Sequence, residues 1–146
     1  QGWRYHMSNI MAAIGIVQLN RFSFLSKKRQ SLAMHYDKKL SGYQVIQIFK
    51  QDYTEVVPHI YPIRILNLTK RKKLQSILIN KGIQTGVHYY PNHYLSYFKK
   101  NNKKKLLITE NIFPELLTLP LHPDLKKSDI VFIVNSLMET INELYD

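Results

Sequence analysis

Residues 82–93 read Gly-Ile-Gln-Thr-Gly-Val-His-Tyr-Tyr-Pro-Asn-His, and this stretch organises the chain around it. Gly82 is a natural helix stop. Ile83 to Tyr89 carries the β-branched and aromatic residues that predict a strand. Upstream, Thr69 stands where a helix cap is wanted, and Leu74, Ile77 and Leu78 recur at helical spacing as far as Lys81. Before that helix, Ile60–Leu66 predicts a strand. Its Pro62 cannot donate to a ladder, which implies an edge position or a nitrogen that faces outward. Tyr43–Phe49 predicts another strand. Downstream, Thr109–Leu117 predicts a helix that Pro114 must kink or shorten. Leu119–Pro123 is extended, because residues before proline are pushed out of the helical region. Ser128–Leu144 is the clearest helix, with Ile130, Ile133, Val134, Leu137, Ile141 and Leu144 on one face.

Near the start, Ser8 caps a helix whose stripe runs Ile10, Ile14 and Val17, widened by Met7 and Met11. Ala12, Ala13 and Gly15 give it a small-residue patch suited to close packing. A second helical stretch carries Leu25, Leu32, Tyr36 and Leu40 and ends at Ser41-Gly42, where glycine suits a left-handed cap. These elements predict an α+β fold: one compact unit with a small, mostly antiparallel sheet covered by helices, and a leading helix that packs elsewhere.

The 146 residues, 45% of them apolar, suffice for one domain with a real core and argue against disorder. No apolar run approaches the roughly 20 residues that span a bilayer, and no signal-peptide pattern opens the chain. Cysteine is absent, which removes disulfides and thiolate metal sites and fits a reducing compartment. The expectation is a soluble cytoplasmic protein with no membrane partner. The opening Gln1-Gly2-Trp3, followed at once by an amphipathic helix, reads as a chain entered mid-protein. A net charge of +11 raises the question of nucleic acid. The basic residues are dispersed, however, lysine far outnumbers arginine, and no nucleic-acid motif accompanies them. Solvated helix faces and a loop over Lys99–Lys105 account for the charge, and no nucleic-acid partner is expected.

Two places carry candidate chemistry. Around His88, Tyr89 and His93, imidazoles and phenols at a strand end can bind a polar ligand, with Gly86 permitting close approach. Ordinary half-buried aromatics would have the same composition, and the residues alone leave both readings open. No metal site is expected, since no carboxylate lies near His88 and His93 in sequence. At the second place, Arg4, Tyr5 and His6 precede a helix N-terminus, an arrangement suited to an anionic group.

Taken together, three segments resemble the DegT/DnrJ/EryC1/StrS family of sugar aminotransferases. Gly2-Trp3-Arg4-Tyr5-His6-Met7-Ser8-Asn9-Ile10-Met11-Ala12-Ala13-Ile14-Gly15 is similar to the family's "G-Y-N-Y-R-M-S-x-I-x-A-A-I-G", and Gln18-Leu19 follows as in the family. Gly82 to His93 is similar to its "G-I-Q-T-G-V-H-Y-x-P-x-H", and Leu119-Pro120-Leu121-His122-Pro123 to its "L-P-L-H-P". The resemblance implies the C-terminal small domain of a type I transferase fold that depends on pyridoxal phosphate (PLP). On that reading, residues 1–22 form a helix packing on a large PLP domain absent from this chain, and residues 23–146 form the small α+β domain.

The resemblance further implies a homodimer that moves an amino group from glutamate to a nucleotide-linked ketosugar. A lysine bonded to the cofactor lies in the large domain, so no catalytic residue is expected in this segment and the segment alone is expected to be inactive. His88, Tyr89 and His93 are implied as substrate-binding residues. Arg4, Tyr5 and His6 are implied near the cofactor, although Arg4 and His6 stand where the family has asparagine and arginine. Some members are dehydratases with histidine in place of the lysine. The alternative expectation is such a relative, or a non-catalytic one that binds a sugar nucleotide.

Overall fold

A computed structural model describes residues 5–99 and 105–145. Arg4, one of the expected cofactor residues, and Lys100–Lys104 of the expected lysine-rich loop lie outside the described residues.

Helix α1 runs unbroken from Asn9 to Leu40, so the two helical stretches read from the sequence are one element of 32 residues. At roughly 1.5 Å per residue it is about 48 Å long. The Ser8 side chain accepts a hydrogen bond from the Met11 N–H, the cap that the sequence implied. At the other end the expected left-handed glycine is not found. Ser41 caps in the right-handed region, and the only glycine with positive φ among the described residues is Gly82, at 78°.

Three strands follow: β1 (Ile46–Ile48), β2 (Tyr61–Ile65) and β3 (Leu116–Leu119), paired antiparallel in the order β1-β2-β3. Helix α2 spans Arg71–Asn80, the short α3 Ser96–Lys99, α4 Leu107–Ile112 and α5 Lys127–Tyr145. On β2, Tyr61, Ile63 and Ile65 are buried and alternate with partly exposed Pro62 and Arg64, so the sheet buries one face. That face meets Tyr36 and Leu40 of α1, Leu74 and Leu78 of α2, and Ile130, Val134 and Leu137 of α5 in one core. None of the described helices is long and apolar enough to cross a membrane.

The third strand differs from expectation. Ile83–Tyr89 is no strand; within it only Gly86 bridges the sheet, exchanging both backbone hydrogen bonds with Thr118. The start of the segment is taken up by the end of α2. The Gly82 N–H donates to Ile79 O at 2.9 Å and the Ile83 N–H to Leu78 O at 2.8 Å, the paired bonds of a Schellman cap, with Ile83 and Leu78 both buried. In the Gly86–Thr118 register the next hydrogen-bonded pairs would be Gln84 with Pro120 and His88 with Leu116, and both fail. Pro120 has no N–H and its carbonyl accepts the Tyr36 hydroxyl, while the Leu116 N–H donates to Phe113 O. The strand comes from Leu116–Leu119, which the sequence placed partly in a helix. Pro114 confines that helix to α4 and one 3-10 turn over Phe113–Glu115.

Pro62 lies in the central strand, opposite Thr118, and of the two expected alternatives the outward-facing nitrogen is the one found. Thr118 directs its N–H and C=O to Gly86, so the Pro62–Thr118 pair shares no hydrogen bond. The Pro62 nitrogen therefore faces the other flank, beyond Ile48 where β1 has ended. A central proline is tolerated because no donor is wanted there.

Thr69 does not cap α2. The Tyr145 hydroxyl at the end of α5 accepts the N–H groups of Thr69 and Lys70 at 2.9 and 3.1 Å, and the Lys70 ammonium donates to Leu144 O. The start of one helix and the end of another are thus tied together.

Candidate functional site

The site is built on the outer edge of β3. Because Gly86 is pinned to Thr118, the chain after it leaves the sheet edge at a fixed point. A Cβ built on Gly86 would lie 2.9 Å from Cε1 of His88, so the missing side chain is what lets the imidazole fold back over the backbone. The His88 ring meets Tyr89 edge to face at 4.9 Å, and its Nδ1 is buried without a hydrogen-bond partner. Tyr89 itself is 67% exposed.

Beyond Tyr89, Pro91 opens a 3-10 turn over Asn92–Tyr94. The turn brings His93 and Tyr94 back against α4 and Phe113. Tyr94 and Tyr90 pack edge to face at 5.7 Å, Tyr90 meets Phe113 at 5.4 Å, and the Arg71 guanidinium lies 4.6 Å from the Phe113 ring centre. Tyr89, Tyr90, Pro91, Asn92 and His93 then form one wall of an open groove of about 550 Å³, closed on the other side by Phe98, Leu106 and Thr109. Phenol, amide and imidazole groups on an apolar floor suit a polar ligand with a flat or ring-shaped part.

Two of the sequence-derived site residues, Tyr89 and His93, share this groove; His88 is not in its lining, and its ring lies over Gly86 and against Tyr89. Tyr5 and His6 are elsewhere. They sit exposed at the far end of α1, ahead of its capped N-terminus.

One polar partner was not readable in the sequence. Oε1 of Glu110 lies 3.3 Å from Nε2 of His93, close enough for an ion pair but not aligned as a hydrogen bond. No carboxylate is near His93 along the chain, and the fold supplies one from α4. A group of three or more metal-ligating side chains is not found among the described residues.

The Leu119–Pro123 segment has a structural role in holding this edge. The Arg29 guanidinium donates to Leu121 O at 2.8 Å and the Tyr36 hydroxyl to Pro120 O at 2.9 Å, both from α1. Burial, with Asp129 adding to it, pushes the Tyr36 phenol well above its ordinary range. Burial and then the Asp37 carboxylate raise Tyr53 to about 12, and Tyr61 donates to Asp37 at 2.5 Å. These phenols therefore remain neutral donors. A second groove, of about 480 Å³, lies between this segment and α5, with His122 and Asp129 in its lining. Asp129 accepts the Lys126 N–H there.

A small antiparallel sheet backed by long helices recurs in solved aminotransferases, and the fold is that of their small α+β domain. Helicobacter pylori PseC, an aminotransferase involved in the biosynthesis of pseudoaminic acid, superposes with a TM-score of 0.86 at 25% identity over 97% of this chain and 39% of that one. The PLP form of Spr1654 from Streptococcus pneumoniae superposes at 0.85 with 26% identity, over 97% of this chain and 37% of that one. The chain belongs to the DegT/DnrJ/EryC1/StrS aminotransferase family, whose pattern matches residues 1–138. Among curated relatives, the UDP-4-amino-4,6-dideoxy-N-acetyl-beta-L-altrosamine transaminase of Campylobacter jejuni (strain NCTC 11168) is 28% identical over 98% of this chain and 39% of that protein. The chain thus spans about two fifths of the length of such relatives.

Proposed function

We propose that this chain is the C-terminal part of a PLP-dependent aminotransferase that moves an amino group from glutamate to a nucleotide-linked ketosugar. The observation that carries the reading is the Gly86–His93 stretch. Tyr89 to His93, within the stretch that resembles the family's substrate-binding motif, line one groove in a domain that superposes on PseC. The Campylobacter relative is a transaminase of a UDP-linked sugar, which supports the substrate class. A charge of +11 would also favour the approach of an anionic sugar nucleotide.

In this reading Tyr89 and His93 orient the sugar nucleotide through phenol and imidazole hydrogen bonds, and His88, packed edge to face against Tyr89, binds beside them. Tyr5 and His6 fit the rim of a phosphate site: both are exposed, and both lead into the positive end of a long helix. They would hold the cofactor's phosphate, with Arg4 adding charge. When bound, the cofactor supplies carbanion stabilisation, and the lysine that bonds it belongs to the large domain. The residues of this chain bind and orient. The enzyme would act as a homodimer in the cytoplasm.

The exposed half of α1 supports the domain division at residue 22. From Tyr5 to Phe24 every residue but Ala12 is exposed, and burial begins at Leu25 and Ser26. Ile10, Ile14 and Val17 lie on one face, while Ile16, Leu19 and Phe22 carry apolar surface to the others. A helix apolar on all sides is one built to be buried. The large domain is the occupant we assign to it. Without that domain, the isolated chain should self-associate. Light scattering of the chain against the Ile10→Asp, Ile14→Asp, Val17→Asp triple variant reads this directly. A clean monomer of the unsubstituted chain at high concentration would count against the assignment.

The activity test is direct. The complete protein, given PLP, glutamate and a panel of nucleotide-linked 3- and 4-ketosugars, should yield an amino sugar detectable by mass spectrometry. This chain alone should yield none. Product from the isolated chain, or none from the complete protein with any ketosugar, would defeat the reading.

A further inference from the structure

We infer that Glu110 is a positioning residue for substrate binding, acting through His93; the inference rests on the groove reading above. His93 stands in the groove wall with its side chain 10% exposed, and Glu110 behind it is 25% exposed. Their 3.3 Å separation places a carboxylate oxygen against the inner nitrogen of the imidazole. A carboxylate oxygen at that distance attracts an N–H and repels a lone pair, so it favours the ring orientation and tautomer that present a hydrogen to it.

The carboxylate is itself fixed, because the same Oε1 accepts the Leu106 N–H at 3.0 Å at the start of α4. Tyr94 covers the imidazole with ring centres 4.3 Å apart. The ring is thus held on two sides, and its orientation in the groove is set before any ligand arrives. Such preorganisation lowers the cost of ordering a binding side chain.

A purely structural account would make Glu110 no more than a cap for α4. The two roles separate in Glu110→Gln, whose amide oxygen can still accept the Leu106 N–H but offers no charge to His93. The probe is UDP-4-amino-4,6-dideoxy-N-acetyl-beta-L-altrosamine, the sugar nucleotide in the name of the Campylobacter relative. Its binding to the complete protein is measured by calorimetry. Glu110→Gln should weaken binding about tenfold with the melting temperature unchanged. Glu110→Asp should recover part of the loss, and in a His93→Gln background Glu110→Gln should add nothing further. Unchanged affinity in Glu110→Gln, or an additive loss in the double variant, would overturn the role of Glu110 alone. Unchanged affinity in His93→Gln would remove the groove reading and this inference with it.

Discussion

Tyr36→Ala should lower the unfolding free energy of this chain by about 3–5 kcal/mol, the loss typical of removing a large buried ring. The Tyr36 side chain has no exposed surface, stacks on Tyr61 with ring centres 4.5 Å apart, and holds Pro120 O through its hydroxyl. It therefore joins α1, β2 and the Leu119–Pro123 segment at one point, and the cavity left behind would be bounded by three elements that cannot all close on it. Against a domain stability of about 5–15 kcal/mol, the loss is a large part of the total. Tyr36→Phe separates the contributions. It keeps the stack but leaves a carbonyl without its donor, and should cost about 1–3 kcal/mol. Urea unfolding followed by circular dichroism measures both, and a Tyr36→Ala variant as stable as Tyr36→Phe would show that the ring contributes nothing beyond its hydroxyl.

The second large effect concerns binding rather than stability. In the complete enzyme, His88→Ala should raise KM for the nucleotide-sugar about tenfold with kcat little changed, as when an interaction common to ground and transition states is lost. Gly86→Ala should act in the same direction without touching the imidazole chemistry. A methyl group there meets Cε1 of His88 at 2.9 Å, and the ring must swing away. The two backbone bonds to Thr118 would survive that change, and Gly86 has no positive φ, so the fold should tolerate it. Because both substitutions act through one ring, the double variant should be no worse than His88→Ala. Unchanged kinetics in His88→Ala would remove the residue from the binding site.

The lesson about Ile83–Tyr89 is one of competition. Its composition suits a strand, and the sheet edge at Thr118 was available, yet the stretch contributes one bridge. The ladder stops on both sides of Gly86, because Pro120, opposite Gln84, has no N–H and the Leu116 N–H, opposite His88, is held by Phe113 O. β3 was hidden for the converse reason: Leu116–Leu119 has no alternation to mark it, because three of its four residues are buried. Thr69 is a good cap by type, but Tyr145, 76 residues on, supplies the oxygen.

The sequence by itself determined what short-range physics decides. Ser8 starts α1, Gly82 stops α2, Pro114 divides the helix before β3, and the periodicity of α5 names its buried face. It also determined membership of the family, since motif residues are written in the chain order. The tertiary structure decided which backbone donors and acceptors meet and which carboxylate stands behind His93. Those are choices among partners far apart in sequence, and each is settled by the geometry of the packed core, because a buried polar group must find whichever partner the fold brings within about 3 Å.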